Sequence, residues 1–182
     1  MREQNEYKKK VKNIIKSRFQ GEIPKAFVHT YGCQGNVADG EKLQGMLYEM
    51  GFDFTFDVNN ADLVLYNTCA IREHAEDRVF GNVGALKPVK KQNPDMIIAL
   101  CGCMMQQEHM AKTIKQKYKH VSFVFGTHTL YKFPQILYEA LESEKTVISV
   151  EDSEGGICED IPTYREGSAK AWVSVMYGCN NF

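Results

Sequence analysis

Three cysteine residues, each closing an apolar run, are the side chains in this sequence best placed to do chemistry. Cys33 ends AFVHTYGC, Cys69 ends DLVLYNTC and Cys103 ends MIIALCGC. Thiolates bind soft metals, so three of them brought together would form a site for zinc or for an iron–sulfur cluster. A free cysteine is often only a buried core residue. These three stand at the ends of their runs rather than inside them, which favours the role of ligand.

The spacing of these cysteines predicts that they meet at one edge of a sheet. Each run has the length and the β-branched or aromatic content of a buried strand, and a segment with helical periodicity follows it. The cysteines lie about 35 residues apart, about one strand–helix–strand unit. The carboxyl ends of parallel strands share one edge, where ligands bind. We also expect each cysteine to lie near a helix amino terminus, which favours the thiolate.

The spacing also bears on the choice of metal. Structural zinc sites usually take four ligands and use C-x2-C pairs, whereas the one close pair here, Cys101 and Cys103, is spaced too closely for that pattern. Three separated thiolates suit a cluster of four irons that each take one cysteine, leaving one iron open. Cys101 lies inside its strand and is expected in the core. His74, His109 and His128 are candidate fourth ligands, although each fits better as an ordinary surface or loop histidine.

Polar residues around the second cysteine have open roles. Asn67 and Thr68 are expected to shape the turn and to cap the next helix through their side-chain oxygens. Arg72 fits equally well as a charge on a helix face and as a hydrogen-bond donor to an anionic cluster.

The remaining pattern predicts the elements that position the cysteines. Further strands are expected at 52–56, 122–125 and 146–150, and helices at 37–50, 72–92, 106–118 and 130–141. Pro88 is expected to kink or end the second of these helices. Alternating strands and helices predict an α/β fold, a doubly wound parallel sheet of about five strands with helices on both faces.

The chain divides into four predicted parts. Residues 1–20 form a basic amphipathic helical extension, which either leans on the domain or contacts an RNA backbone. Residues 21–145 form the α/β domain, and 146–170 form an acidic linker in which Cys158 is a surface or interdomain thiol. Residues 171–182 begin a further domain with an apolar strand.

Composition excludes several classes of protein. The 182 residues include 22 basic and 23 acidic side chains, a net charge of -1, so any contact with nucleic acid requires a local basic patch. Six cysteines occur without an apolar signal stretch at the start, which favours reduced thiols in the cytoplasm. No apolar run approaches the about 20 residues of a membrane helix, so no membrane association is expected.

Four motifs resemble those of a known family. TYGCQGN (30–36), NTCAIRE (67–73), GCMMQQE (102–108) and the final WVSVMYGCNNF are similar to the methylthiotransferases of the radical S-adenosylmethionine (SAM) superfamily, most closely the MiaB type, which modifies tRNA. The resemblance covers about residues 25–182. It implies a flavodoxin-like domain that binds an auxiliary [4Fe–4S] cluster through Cys33, Cys69 and Cys103. It also implies that Cys179 is the first ligand of a second, radical SAM cluster, whose C-x3-C-x2-C motif here stops at CNNF.

The resemblance further implies an activity for a full-length enzyme. A radical made from SAM attacks C2 of N6-isopentenyladenosine beside the tRNA anticodon. The auxiliary cluster's open iron holds a sulfide that a second SAM methylates before transfer. The expected partners are tRNA, SAM and an electron-donor protein, and the expected state is a monomer. The radical domain is expected to be truncated, so this chain is expected to contain no catalytic residue and to be inactive alone.

Details of the motifs separate branches of the family. Gln34 and the run 70–73 favour the branch that acts on isopentenyladenosine. Gly35 stands where the family commonly has methionine, and Gly40 replaces a more usual serine. Because glycine costs backbone entropy, both are expected to loosen the first loop and its helix.

Two alternatives from other classes remain open. One is a non-catalytic iron–sulfur or zinc-binding module that acts as a scaffold or carrier. The other is a flavin or nucleotide binder of flavodoxin type, which the lack of a Gly-rich phosphate loop after the first strand disfavours.

Overall fold

The computed structural model describes residues 2–70, 75–143, 145–151, 161–165 and 171–172. Six parallel strands form one sheet: β1 (Lys25–Thr30), β2 (Asp53–Phe54), β3 (Leu63–Thr68), β4 (Ile97–Gly102), β5 (Phe123–Phe125) and β6 (Val147–Ser149). Their order across the sheet is β2-β1-β3-β4-β5-β6. Five helices connect or flank them: α1 (Arg2–Arg18), α2 (Gln34–Glu49), α3 (Ala75–Gln92), α4 (Glu108–Lys117) and α5 (Phe133–Glu142).

The predicted fold class, a doubly wound parallel α/β sheet, is confirmed, with six strands rather than about five. The strand expected at 146–150 is present as Val147–Ser149, and it becomes the sixth strand of the sheet by pairing with β5. The predicted division places these residues in the linker. They join the sheet because the exposed edge of β5 offers unpaired backbone groups that a short parallel strand satisfies.

Helices cover both faces of the sheet and form two cores. The first core contains residues of α1, α2 and α5, such as Val11, Leu47 and Phe133, and the second contains residues of α3 and α4, such as Val83 and Ile114. Strands β3 and β4 are buried along their whole length. Their residues alternate between the two cores because successive side chains of a strand point to opposite faces. The apolar runs of these two central strands are therefore uninterrupted, and each strand is followed by a cysteine at the carboxyl edge of the sheet.

Helix α3 does not end at Pro88, which was one of the two outcomes expected there. The helix continues through Pro88 to Gln92. Proline removes the hydrogen bond to the carbonyl four residues earlier, which here belongs to Gly84. Both Pro88 and Gly84 are exposed, so water can satisfy that carbonyl and the helix does not end.

Helix α1 packs against the domain. Val11 and Ile15 are buried, and the Lys8 ammonium donates to Glu49 Oε2 over 2.6 Å. The opposite face keeps Lys9 and Lys16 exposed. The helix therefore packs on the domain, which is one of the two interpretations of the sequence. Its contact with RNA stays a hypothesis. Among the described helices, none is both long and apolar enough to cross a membrane.

Residues 161–165 lie against α2. The backbone N–H of Tyr164 donates to the Glu41 carbonyl over 2.9 Å, and Arg165 Nε donates to Glu41 Oε2 over 2.9 Å. A Cβ on Gly45 would lie only 2.1 Å from the Pro162 carbonyl oxygen. A glycine on α2 thus permits this close backbone contact.

Candidate metal centre at the carboxyl edge of the sheet

One side-chain amide, that of Asn36, connects the loops that carry the three cysteines. Its Oδ1 accepts from the backbone N–H of Cys33 over 3.4 Å and from the Cys33 thiol over 3.3 Å. Its Nδ2 donates to the carbonyl of Thr68, the residue before Cys69, over 3.1 Å. The same nitrogen lies 3.8 Å from Cys103 Sγ. Asn36 is 3% exposed, so its amide group is shielded from water.

The position of Asn36 follows from the start of α2. Cys33 is the N-cap residue of this helix, with an extended backbone. Asn36 is the third residue after the N-cap, where a side chain reaches back to the N-cap N–H in a capping box. A common device for starting a helix therefore also places an amide between the cysteines.

Two glycines allow the cysteine loops to approach each other. Gly32 has φ +122°, and a Cβ there would lie 2.4 Å from Cys69 Cβ. Gly102 has φ +99°, and a Cβ there would lie 2.2 Å from the Thr68 carbonyl oxygen. Only glycine adopts such a backbone easily and leaves that space empty. The residue before Cys33 and the residue before Cys103 therefore both pack against the end of β3.

Asn67 and Thr68, expected to cap the helix after Cys69, make hydrogen bonds to neighbouring elements, and the predicted start of that helix at Arg72 lies outside the described residues. The Asn67 amide donates to the Asn36 carbonyl over 2.7 Å, and the Thr68 hydroxyl donates to the Cys101 carbonyl over 2.5 Å. Both are buried at the end of a central strand, and α3 begins only at Ala75 in the described residues. Buried polar groups need hydrogen-bond partners, and the backbone carbonyl groups of Asn36 and Cys101 supply them.

The three thiols differ in exposure. Cys33 is exposed, Cys103 is half-buried, and Cys69 is 1% exposed. Burial raises the pKa of the Cys103 thiol, and the neighbouring Cys69 raises it further, although hydrogen bonds from the Ala70 backbone and the Asn36 side chain lower it. The expected lowering at a helix amino terminus is wrong for Cys103, because a short 3-10 turn follows it and α4 begins only at Glu108.

The other predicted candidates that the structure describes take no part in this junction. Cys101 is 1% exposed and belongs to the core, as expected, and burial raises its pKa well above the ordinary value. His109 is exposed and His128 is half-buried. Within the described ranges, no three His, Cys, Asp or Glu side chains are close enough to hold one metal ion. The remaining candidates, Arg72, His74, Cys158 and Cys179, lie outside the described residues.

The two glycines thought to loosen the first loop lie inside α2. Gly40 is buried, and a Cβ there would lie 2.5 Å from the Thr30 hydroxyl, so α2 approaches β1 closely at this point. A Cβ on Gly35 would make an ordinary 3.5 Å contact with Cys33 Sγ. Gly40 thus has a packing role that sequence reasoning missed.

Sequence reasoning also missed Asn36. The available signal was its position three residues after Cys33, which is the N3 position of a capping box. Only the contact with Thr68 and Cys103 shows that this residue does more than start a helix.

Comparison with known proteins shows to which family this chain belongs. The model of the family described as "Uncharacterized protein family UPF0004" matches residues 25–126. A protein of Acetivibrio thermocellus is 56% identical over 155 residues, covering 85% of this chain and 32% of that protein. One of Clostridioides difficile is 47% identical over 184 residues, covering 100% of this chain and 38% of that protein. Both are named tRNA-2-methylthio-N(6)-dimethylallyladenosine synthase.

The chain thus spans about a third of the length of these curated relatives. The matched residues 25–126 make up more than half of the chain and include Cys33, Cys69 and Cys103. The expected resemblance to the MiaB-type methylthiotransferases is confirmed by the names of the relatives, and the chain belongs to the family UPF0004.

Proposed function

We propose that this chain forms the auxiliary-cluster part of a tRNA methylthiotransferase that acts on N6-dimethylallyladenosine, also called N6-isopentenyladenosine. The observation that carries the proposal is the Asn36 amide, which contacts Cys33, Cys103 and the residue before Cys69. The names of the relatives support the substrate and the reaction.

The donor set fits a [4Fe–4S] cluster. Three thiols come from the ends of β1, β3 and β4, which are neighbours in the sheet. A cubane takes one thiolate at each iron, so Cys33, Cys69 and Cys103 would hold three irons. When bound, the cluster would supply one iron without a protein ligand, at which a sulfur species can bind.

The cysteines of this site differ in burial. Cys69 is buried and lies close to Gly32, so the surrounding protein fixes the position of its side chain. Cys33 is exposed and leaves the junction open toward solvent or a neighbouring domain. Ligand thiols must lose their protons when a metal binds. Since burial raises the pKa of Cys103, cluster binding is expected to release its proton at neutral pH.

The remaining elements of the proposal belong to the whole protein. They are a radical SAM cluster that begins at Cys179, the substrates SAM and tRNA, an electron-donor protein, and a monomeric enzyme in the cytoplasm without membrane association. The sequence motifs support them, and the relatives, of which this chain covers about a third, supply the tRNA and the reaction in their names.

Anaerobic reconstitution with iron and sulfide tests the cluster site. The parent chain is expected to bind about four irons, and a variant with Cys33, Cys69 and Cys103 changed to alanine is expected to bind none. Cys158→Ala is the matched control, because it removes a thiol that the proposal does not use, and it should retain the iron of the parent. Zinc binding alone, or iron that survives the triple substitution, would refute the proposed cluster.

A further inference from the structure

A basic cleft lies at the edge of the sheet opposite the cysteines. Its volume is about 340 Å³. Among the described residues, Arg18, Lys90, Lys119 and Lys145 line it together with one carboxylate, Asp95. These four cationic side chains come from the end of α1, the end of α3, and the segments that follow α4 and α5. The chain has a net charge of -1, so the tertiary structure concentrates positive charge here.

Asp95, the one carboxylate among the described residues of the lining, is already neutralised. Arg18 donates to Asp95 Oδ1 over 2.8 Å and to the Asp95 carbonyl over 3.2 Å. Lys90 donates to the carbonyl oxygens of Pro94 and Met96. Burial lowers the pKa of Lys90, and the charge of Arg18 lowers it further. The cationic groups of the cleft therefore repel one another.

Lys119 and Lys145 differ from Arg18 and Lys90 in their contacts. Both are exposed, and their ammonium groups make no hydrogen bond or ion pair with any other residue in the described part of the chain. Each follows the carboxyl end of a helix, where the helix dipole favours a cation. The dipole accounts for one cation at each helix end, but not for the convergence of both on a cleft that already contains Arg18 and Lys90.

We propose that this cleft binds a phosphodiester group of RNA through Lys119 and Lys145. The choice of RNA rests on the proposed function. Exposed lysines act as flexible point charges, which suits the sequence-independent contacts that position a nucleic-acid backbone. Strand β4 runs from Ile97, in the cleft, to Gly102, beside Cys103. Its six residues cover about 20 Å, a distance that one folded RNA can span.

Binding of a fluorescently labelled RNA hairpin of anticodon-arm length to the 182-residue chain, measured over a salt series, tests the proposal. The double variant Lys119→Glu/Lys145→Glu is expected to bind at least about tenfold more weakly, with a salt slope that is smaller by about 2. The control Lys87→Glu/Lys115→Glu makes the same charge change at exposed positions outside the cleft lining, and it should lose less than about threefold. An unchanged thermal midpoint in both variants verifies the fold.

Equal losses in the two double variants, or no loss in either, would overturn the proposal. Inorganic phosphate, titrated alone, separates the two sources of a phosphate group. Phosphate binding that depends on Lys119 and Lys145, together with unaltered hairpin binding, would overturn the assignment to RNA. Iron content, measured on the same proteins, keeps the two proposals distinct. The cleft variant should retain about four irons, and a chain that binds no iron but loses hairpin affinity on cleft substitution would contradict only the cluster.

Discussion

The side-chain nitrogen of Asn36 lies 3.8 Å from the sulfur of Cys103, although 67 positions separate the two residues in the chain. One amide therefore joins the first strand-end loop to the third. The loop of Cys69 is included because the same nitrogen donates to the Thr68 carbonyl. Hydrogen bonds of a single side chain thus connect the three cysteine loops.

Substitution of Asn36 is expected to weaken both the fold and the cluster site. Asn36→Ala leaves the Thr68 carbonyl without this donor, which costs about 1–3 kcal/mol in the free energy of unfolding because the carbonyl lies in a buried region. Urea denaturation measures the loss, and iron content after reconstitution is expected to fall below that of the parent. Gln34→Ala, at an exposed position on the same turn, is the control. If both variants show parent stability and iron content, the amide has no structural role.

Substitution of Gly32 separates backbone conformation from close packing. Gly32→Ala adds a Cβ 2.4 Å from Cys69 Cβ at φ +122°. Gly21→Ala is the control, since Gly21 has φ +88° but no heavy atom within 4 Å of its Cβ position. We expect about 1 kcal/mol of destabilisation for the control from its positive φ, and about 1–3 kcal/mol more for Gly32→Ala from overpacking. Thermal unfolding of the two variants gives this difference, which should be near zero if the loops can separate freely.

The thiols of the metal-free chain are expected to react in a defined order. Among the four described thiols, iodoacetamide should modify Cys33 first because it is exposed, Cys103 more slowly, and the buried Cys69 and Cys101 last. The thiolate is the reactive form, and the raised pKa of Cys103 leaves less thiolate at pH 7. Its rate should therefore rise with pH up to and beyond the ordinary thiol pKa.

Peptide mass spectrometry after timed alkylation at several pH values measures these rates. Faster modification of Cys103 than of Cys33 at pH 7 would contradict the geometry. Reconstitution with iron and sulfide should protect Cys33, Cys69 and Cys103 together, if they are ligands of one cluster.

The contact between residues 161–165 and α2 is expected to depend on Gly45. Gly45→Ala places a Cβ 2.1 Å from the Pro162 carbonyl oxygen, so the segment must move away. Trypsin should then cleave after Arg165 faster than in the parent, because the pairing of Arg165 with Glu41 is lost. Gly84→Ala, on the exposed side of α3 with no heavy atom near its Cβ position, should leave the cleavage rate unchanged. Equal cleavage rates in all three proteins would show that the contact does not protect the segment.

Much of the fold follows from local pattern. The apolar runs that end at Cys33, Cys69 and Cys103 form β1, β3 and β4 or the residues just after them. Helical periodicity after each run predicted the crossover helices, because parallel strands require such connections. The pairing of β6 with the sheet and the continuation of α3 past Pro88 were harder to predict. The first depends on an available sheet edge, and the second depends on solvent access at Gly84.

By itself, the sequence determined the parallel sheet and the placement of three cysteines at its carboxyl edge, since strand length and spacing are properties of consecutive residues. Only the tertiary structure decided that Asn36 lies between the cysteine loops and that Lys119 and Lys145 share a cleft with Arg18. These contacts join residues on different elements. They depend on how helices and strands pack in three dimensions, which no local periodicity encodes.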